Sequence, residues 1–570
     1  MKLPLAFTPK LWTTLHGYGR EQLARDLIAG LIVGMVAIPL ALAFGIASGV
    51  TPAEGLFSAV VGGLIISTLG GSRVQIGGPT GAFVVIVYGI LQQYGRDALA
   101  VCTIMAGVIL IIMGLARMGN LVKWIPHPVT TGFTSGIAVV IFSSEIKDLL
   151  GLRMGAVPAE FAAKWTAYGR ALPTADGATI ALAAATLVVL VLFPRLTKRV
   201  PSPLVGLVFA TAAAWLLRLP VETIGSRFGA LPRGLPSPRL PAMDLKTVAS
   251  LVRPATVVAL LAAVESLLSA VVADGMIGGR HRPSMELIAQ GVANVAAPIF
   301  GGIPVTGAIA RTATNVKSGG RTPVAGIAHA LVLLCVLLFA GPAVAHIPLC
   351  ALAAILAIVC YNMSEWRNFV FLMKAPRSDV VVLLTTFTLT IVVDLTAAVE
   401  VGMVLAAFLF MKRMADMTTV GAATGDSGDE EAGALKGEKP PVLPAGVEVY
   451  RVSGPLFFGA ADKLGEVLSQ IQDPPKVFIL RLGDVPVVDA TGLHALRETQ
   501  RRCRRLGTSL LLCGLRPQPL AVLQRTGVIG EFDAWTPKDD LAAALEIVMR
   551  SPMLKPDLKA DVLRKAARGA

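Results

Sequence analysis

The chain has 570 residues, 54% of them apolar and only 15% charged, with a mean hydropathy of +0.69; soluble domains carry about 25% charged residues. That apolar surplus excludes a purely soluble enzyme, a disordered chain and a disulfide scaffold. The net charge of +14 is no nucleic-acid footprint, because +12 of it precedes Lys412, while the last 159 residues hold 42 of the 88 charged residues and are nearly neutral.

The order is therefore a membrane body followed by a soluble tail of domain size. Residues 1–25 form a basic N-terminus without a signal peptide, since the apolar run starts only near Leu27 and continues as a full span. About 20 apolar residues cross a bilayer. Spans are predicted at 26–48, 52–69, a short one at 78–91, then 98–116, 129–142, 178–193 and 203–219. After a loop rich in Pro and Arg, a second set follows at 254–273, 287–300, a short one at 306–315, then 324–340, 348–361, 380–393 and 398–411. The total of fourteen puts both ends on one side. Lys10, Arg20, Arg25, Arg73, Arg117, Arg282, Lys317, Arg321, Lys412 and Arg413 then share a face, which the positive-inside rule assigns to the cytoplasm. The loop 221–253 carries several Arg on the opposite side and resists the rule. The six cysteines show no metal spacing and read as free core thiols.

The two sets repeat. Gly77-Gly78-Pro79-Thr80-Gly81-Ala82-Phe83 opens the short third span, and Gly301-Gly302-Ile303-Pro304-Val305-Thr306-Gly307-Ala308 opens the short tenth. Seven is odd, so the second set is inverted relative to the first. Paired short spans broken by Gly and Pro, at matching places in inverted halves, point to a transporter site. A helix that starts inside the bilayer exposes unpaired N–H groups and the positive end of its dipole, which suits an anion. Gly81 and Gly307 permit close approach to the backbone, and Thr80 and Thr306 either cap the helices or donate to an oxyanion. Glu265 lies mid-span, where a carboxylate costs about 2.5–3.5 kcal/mol on the insertion scale, so a functional role is the default. Ser269, four residues on, shares its helix face, and the two suit a proton or Na+. Arg311 attracts an anion, pairs with Glu265 or anchors the inner mouth. Asp394 and Glu400 flank the last turn and read as packing or capping groups.

Residues 415–446 lack a hydrophobic period and read as a linker. Residues 447–457, 477–482 and 509–513 read as strands and 461–470 and 492–505 as helices, giving a small α/β domain at 447–550 and a tail at 551–570.

The chain resembles the SulP anion transporters, bacterial relatives of human solute carrier family twenty-six, over nearly its whole length. The resemblance rests on Pro39-Leu40-Ala41-Leu42-Ala43-Phe44, Gly78 to Phe83, Glu265 to Asp274, Glu286 to Asn294 and Pro304 to Asn315, and on Asp489-Ala490-Thr491-Gly492-Leu493 for the family's STAS domain. It implies an α-helical membrane protein with a seven-plus-seven inverted repeat in core and gate domains across residues 26–414. It also implies a homodimer in a bacterial cytoplasmic membrane, with both termini and the STAS domain cytoplasmic, and an elevator-like motion. The anion, inorganic or carboxylate, would sit between the third and tenth half helices, lined by Phe44, Thr80, Gly81, Ala82, Phe83, Thr306, Gly307, Ala308 and Arg311. Leu40 replaces the Gln of many members, and Glu265 the Asp of sodium-coupled bicarbonate members, which suggests H+ rather than Na+ as coupling ion. Thr491 matches the position phosphorylated in related anti-sigma-factor antagonists, with a plain helix cap as the competing reading. The function implied is secondary transport of sulfate, a C4-dicarboxylate or bicarbonate, with no enzyme activity, cofactor, metal or nucleic acid. A nucleobase:cation symporter and an anion sensor signalling through the STAS domain are the alternatives.

Overall fold

The computed structural model describes residues 5–119, 126–155, 157–158, 160–197, 200–229, 232, 234–241, 245–393, 395–422, 443, 446–457, 463–464, 474–536 and 541–550. Most of the expected linker, the expected helix at 461–470 apart from two residues, Asp394 and the tail at 551–570 lie outside them. The chain divides into two compact units, Met1–Ala406 and Ala407–Ala570.

In the first unit a short α1 (Lys10–Thr14) precedes α2 (Arg20–Ala47) and α3 (Pro52–Leu69). A two-residue strand β1 (Gly77–Gly78) leads into α4 (Gly81–Leu115), followed by α5 (His127–Leu150), α6 (Phe161–Ala171), α7 (Gly177–Leu196), α8 (Ser202–Leu216) and α9 (Ile224–Phe228). The second set comprises α10 (Leu245–Ile277), α11 (Pro283–Ile299), β2 (Thr306–Gly307), α12 (Ile309–Lys317), α13 (Pro323–Phe339), α14 (Gly341–Ala345), α15 (Leu349–Met363), α16 (Trp366–Leu372), α17 (Arg377–Val392) and α18 (Leu395–Asp416). Among the described residues, seven helices are long and apolar enough to cross a membrane by length and composition. The third predicted span, which starts at Gly81 rather than Gly78, and the fourth fall in one helix, α4, which breaks only at Gly95, with φ of 85° and ψ of −177°. The tenth begins at Ile309 rather than Thr306, because Thr306 and Gly307 are taken up by β2.

Small residues let the backbones close up. A β-carbon on Gly107 of α4 would lie 2.6 Å from the Gly291 carbonyl of α11, and one on Gly291 would lie 2.5 Å from the Gly107 carbonyl. Gly30 and Gly34 of α2 meet Ala325, Ala328 and Val332 of α13 in the same way. These contacts interleave α2, α3 and α4 with α10, α11, α12 and α13, while α5, α7, α8, α15 and α17 pack as a second group. Around this body Leu27, Leu31, Ile112, Trp215 and Phe339 are exposed, a surface that fits lipid rather than water.

Two arginines of the loop that resisted the charge rule, Arg227 and Arg253, are paired with carboxylates. Arg227 donates to Asp148 at 2.7 and 3.1 Å and to Glu222 at 2.5 and 2.8 Å. The guanidinium beside it holds the Glu222 carboxyl below the usual carboxylate range. Arg253, inside α10, donates to Glu400 at 2.9 and 2.6 Å. Glu400 is thus an ion-pair partner rather than a cap.

In the second unit a five-stranded sheet runs β3 (Thr419–Ala422), β4 (Val447–Ser453), β5 (Val477–Asp484), β6 (Ser509–Cys513) and β7 (Ala534–Thr536). β3 pairs antiparallel with β4, and the other neighbours are parallel. The predicted linker at 415–446 therefore needs correction, since four of its residues form an edge strand too short to leave a hydrophobic period. The helices that follow β5 among the described residues are α19 (Ala490–Arg505), α20 (Pro517–Arg525) and α21 (Leu541–Arg550). Phe478, Leu480 and Leu482 of β5 enter one apolar cluster, and Val477 and Ile479 enter the other, so the strand is buried on both faces.

Candidate functional site

The two Gly/Pro-rich entrances meet in the first unit. Gly77 pairs with Gly307 and Gly78 with Thr306, so β1 and β2 form an antiparallel ladder from which α4 and α12 depart. The first amides of each helix, at Gly81 and Ala82 and at Ile309 and Ala310, have no partner within their helix. Two positive dipole ends are thus held side by side by backbone bonding.

Each entrance is fastened by side chains from the other repeat. Gln75 donates to Ser266 O at 3.1 Å, and Asn315 donates to Val74 O at 2.8 Å. Arg311 donates to Pro79 O. Ser58 accepts from Ile303 N at 2.7 Å. Within the second repeat, Asn294 grips Val305 twice, donating to its O at 2.7 Å and accepting from its N at 2.9 Å. Buried Glu286 accepts from Gly71 N at 2.8 Å, Ser72 N at 3.0 Å and Gln290 at 2.8 Å. Sequence reasoning missed Gln75, Ser58 and Met363 altogether. It quoted the stretch containing Glu286 and Asn294 without giving either residue a task.

The predicted site residues gather around this crossing, with tasks that differ from those expected. Neither threonine caps its helix. Thr80 donates to Glu265 at 2.8 Å, and Thr306, fully buried, donates to Ala262 O at 3.0 Å. Glu265 and Ser269 do share a face. Ser269 donates to Thr312 at 3.2 Å, and Thr312 in turn accepts from Ile76 N at 3.0 Å. Arg311 is 2% exposed, lies behind β1 against Gly78, and makes no ion pair with Glu265. A β-carbon on Gly81 would meet Met363 Sδ at 2.8 Å and Phe44 at 3.3 Å, so Met363 and Phe44 pack closely against Gly81. Gly307 faces elsewhere: a β-carbon there would overlap the Gln75 amide. Ala82, Phe83 and Ala308 are buried beside them. In the second unit Asp489 caps α19, accepting from Gly492 N at 2.7 Å, and Thr491 is exposed in its first turn.

Residues 23–386 match the sulfate permease family, and residues 442–544 match the STAS domain. YvdB of Bacillus subtilis, which bears a sulfate-transporter name, is 41% identical over 90% of this chain and 95% of its own. The bicarbonate transporter BicA of Picosynechococcus is 31% identical over 83% of this chain and 85% of its own. In fold the chain is similar to the anion transporter Slc26a9 of mouse, with a TM-score of 0.83 at 19% identity over 92% of both chains. The transmembrane domain of a cyanobacterial BicA gives a TM-score of 0.62 at 31% identity, covering 67% of this chain and 98% of that one.

Proposed function

The chain belongs to the sulfate permease family, with a STAS domain after its membrane part, and is a transporter of small anions; from that premise we propose that it is a secondary active transporter of sulfate, bicarbonate or a C4-dicarboxylate, coupled to protons. The observation that carries the proposal is the β1–β2 ladder with Glu265 bonded to Thr80 beside it. Unpaired amides at the starts of α4 and α12 attract an oxyanion without a cation in the pocket. Phe44 and Met363 pack against Gly81, so the Met363 side chain shifts to admit the anion, and Arg311 adds positive charge from behind. An anion there and an ionised Glu265 repel one another. A proton on Glu265 removes the repulsion, so anion and proton bind together, which is the thermodynamic core of symport. Sodium is the competing coupling ion.

The α2–α4 and α10–α13 group is the body that carries the site past the α5–α8 and α14–α18 group in an elevator-like motion across fourteen spans. Residues 26–414 make up the transport domain and 447–550 the STAS domain, in a homodimer of the bacterial cytoplasmic membrane whose termini and STAS domains face the cytoplasm. Proteoliposomes test the reading. Uptake of sulfate, bicarbonate, succinate and fumarate is measured with and without an imposed pH gradient in sodium-free buffer. One of these anions accumulates above equilibrium when the outside is acidic. Equal uptake with and without the gradient would rule out proton coupling, and no uptake of any of the four would rule out the substrate class.

A further inference from the structure

The turn at residues 70–73, at the end of α3, gathers three cations from three parts of the chain. Lys10 N donates to Gly70 O at 2.9 Å, and Arg282 N donates to Gly71 O at 2.9 Å. Arg73 follows on the turn itself and is exposed. The Arg282 guanidinium reaches on to Thr8 O at 2.6 Å and Pro9 O at 3.3 Å, which ties the N-terminal segment to the same turn. The turn has little freedom to move. Buried Glu286 holds its Gly71 and Ser72 amides from beneath, and a β-carbon on Gly71 would lie on the Arg282 carbonyl.

None of Lys10, Arg73 and Arg282 joins an ion pair among the described residues. The nearby Asp274 is already bonded to the His281 ring and amide, both at 2.7 Å. Burial, and then the charges of Arg282 and Arg73, hold the Lys10 amine below its usual value, so both guanidiniums act on that amine. Like charges held together at rest suit a polyvalent anion. Beside them α1 turns Trp12 outward at 66% exposure, with Leu15 just beyond it at 45%. The lipid-facing Leu23, Leu27 and Leu31 follow on α2. An exposed Trp next to basic residues is the composition of a bilayer–water interface.

We propose that Lys10, Arg73 and Arg282, gathered on the 70–73 turn beside the exposed Trp12, form a binding site for the phosphate headgroup of an anionic phospholipid. The site rests on the cytoplasmic orientation proposed above, since it faces the leaflet at the N-terminal end of α2. It lies on the α2–α4 group, so an occupied site ties that group to the bilayer surface, and the rate of transport depends on the lipid present.

The test uses the full chain in detergent, followed by proteoliposomes. Thermal unfolding is measured with added phosphatidylglycerol, phosphatidylcholine or inorganic phosphate, for wild type, the Lys10→Ala/Arg73→Ala variant and an Arg505→Ala control, exposed at the end of α19. Arg282 is left in place because it also anchors the backbone. Phosphatidylglycerol raises the wild-type and control midpoints and phosphatidylcholine does not. The double variant binds phosphatidylglycerol about twenty-five-fold more weakly, at about fivefold for each cation. An equal gain from inorganic phosphate would make this a free-anion site and overturn the lipid assignment, as would a double variant that responds like wild type. Uptake in phosphatidylcholine liposomes separates the two readings. If wild type transports there and phosphatidylglycerol changes neither rate nor midpoint, this inference fails while the transport function stands.

Discussion

Glu265 sits where a proton and an anion can influence one another, because Thr80 binds its carboxylate at the very start of α4. Glu265→Gln keeps an acceptor for Thr80 and removes the titratable group. It is expected to abolish accumulation driven by a pH gradient while leaving anion binding and passive exchange in place. If the variant still concentrates substrate in proteoliposomes without sodium, coupling resides in another group. Gly307 gives a second prediction at this scale. From the sequence it reads as a point of approach for the anion, but its α-carbon is turned to Gln75. Gly307→Ala therefore perturbs the fastening of β1 before it perturbs the ligand. The expected loss of stability is about 1–3 kcal/mol, the usual cost of overpacking a filled core. Gln75→Ala in the same chain makes room for the methyl group, so the double variant recovers most of the loss. A double variant whose loss equals the sum of the two single losses would show that the two residues do not meet.

Among the elements, the break in α4 separates backbone strain from sterics. Gly95 has open space around it, yet its φ of 85° with an extended ψ is a conformation nearly confined to glycine. Gly95→Ala should cost about 1–3 kcal/mol through strain alone. Gly89, in the same helix with equally open space and ordinary helical backbone, should gain about 0.5–1 kcal/mol from the same change. Thermal unfolding of the two variants checks the pair, and shifts in the same direction would contradict it. This break also marks what the sequence could reveal. The third and fourth spans were legible as apolar runs because the polar stretch Gln92 to Asp97 parts them, but that stretch stays helical on either side of Gly95, so the chain kinks where the sequence suggests a loop. The half-helix entrances were legible because Gly and Pro cluster at matching places in both repeats. Their fastenings were not: Gln75 meets Ser266 across 191 residues, and a lone buried amide has no periodicity to announce it. The short helices α6, α9, α14 and α16 escaped for a related reason, since tertiary packing rather than an apolar stripe holds them in place. The strand β3 was lost among small residues without alternation.

For the whole molecule, the two units each have their own apolar interior: one large cluster among the membrane helices, and two clusters on either face of the five-stranded sheet. The residues at the β1–β2 crossing all precede Ala406, and every side chain that fastens them comes from the first unit. A cut after Asp416 leaves every helix from α1 to α18 intact and removes the sheet from its first strand, so no strand is stranded without its partner. A chain ending there is expected to insert in the membrane, remain folded in detergent and bind the transported anion with an affinity close to that of the full chain. Removal of the STAS domain should instead alter the transport rate or the association of protomers. The measurements are calorimetric anion affinity and light scattering on both chains, followed by uptake in liposomes. A truncated chain that is monodisperse and folded yet binds no anion would mean that the second unit completes the site. The half-helix crossing would then be insufficient by itself, because nothing in its backbone donors or their fastenings would have changed.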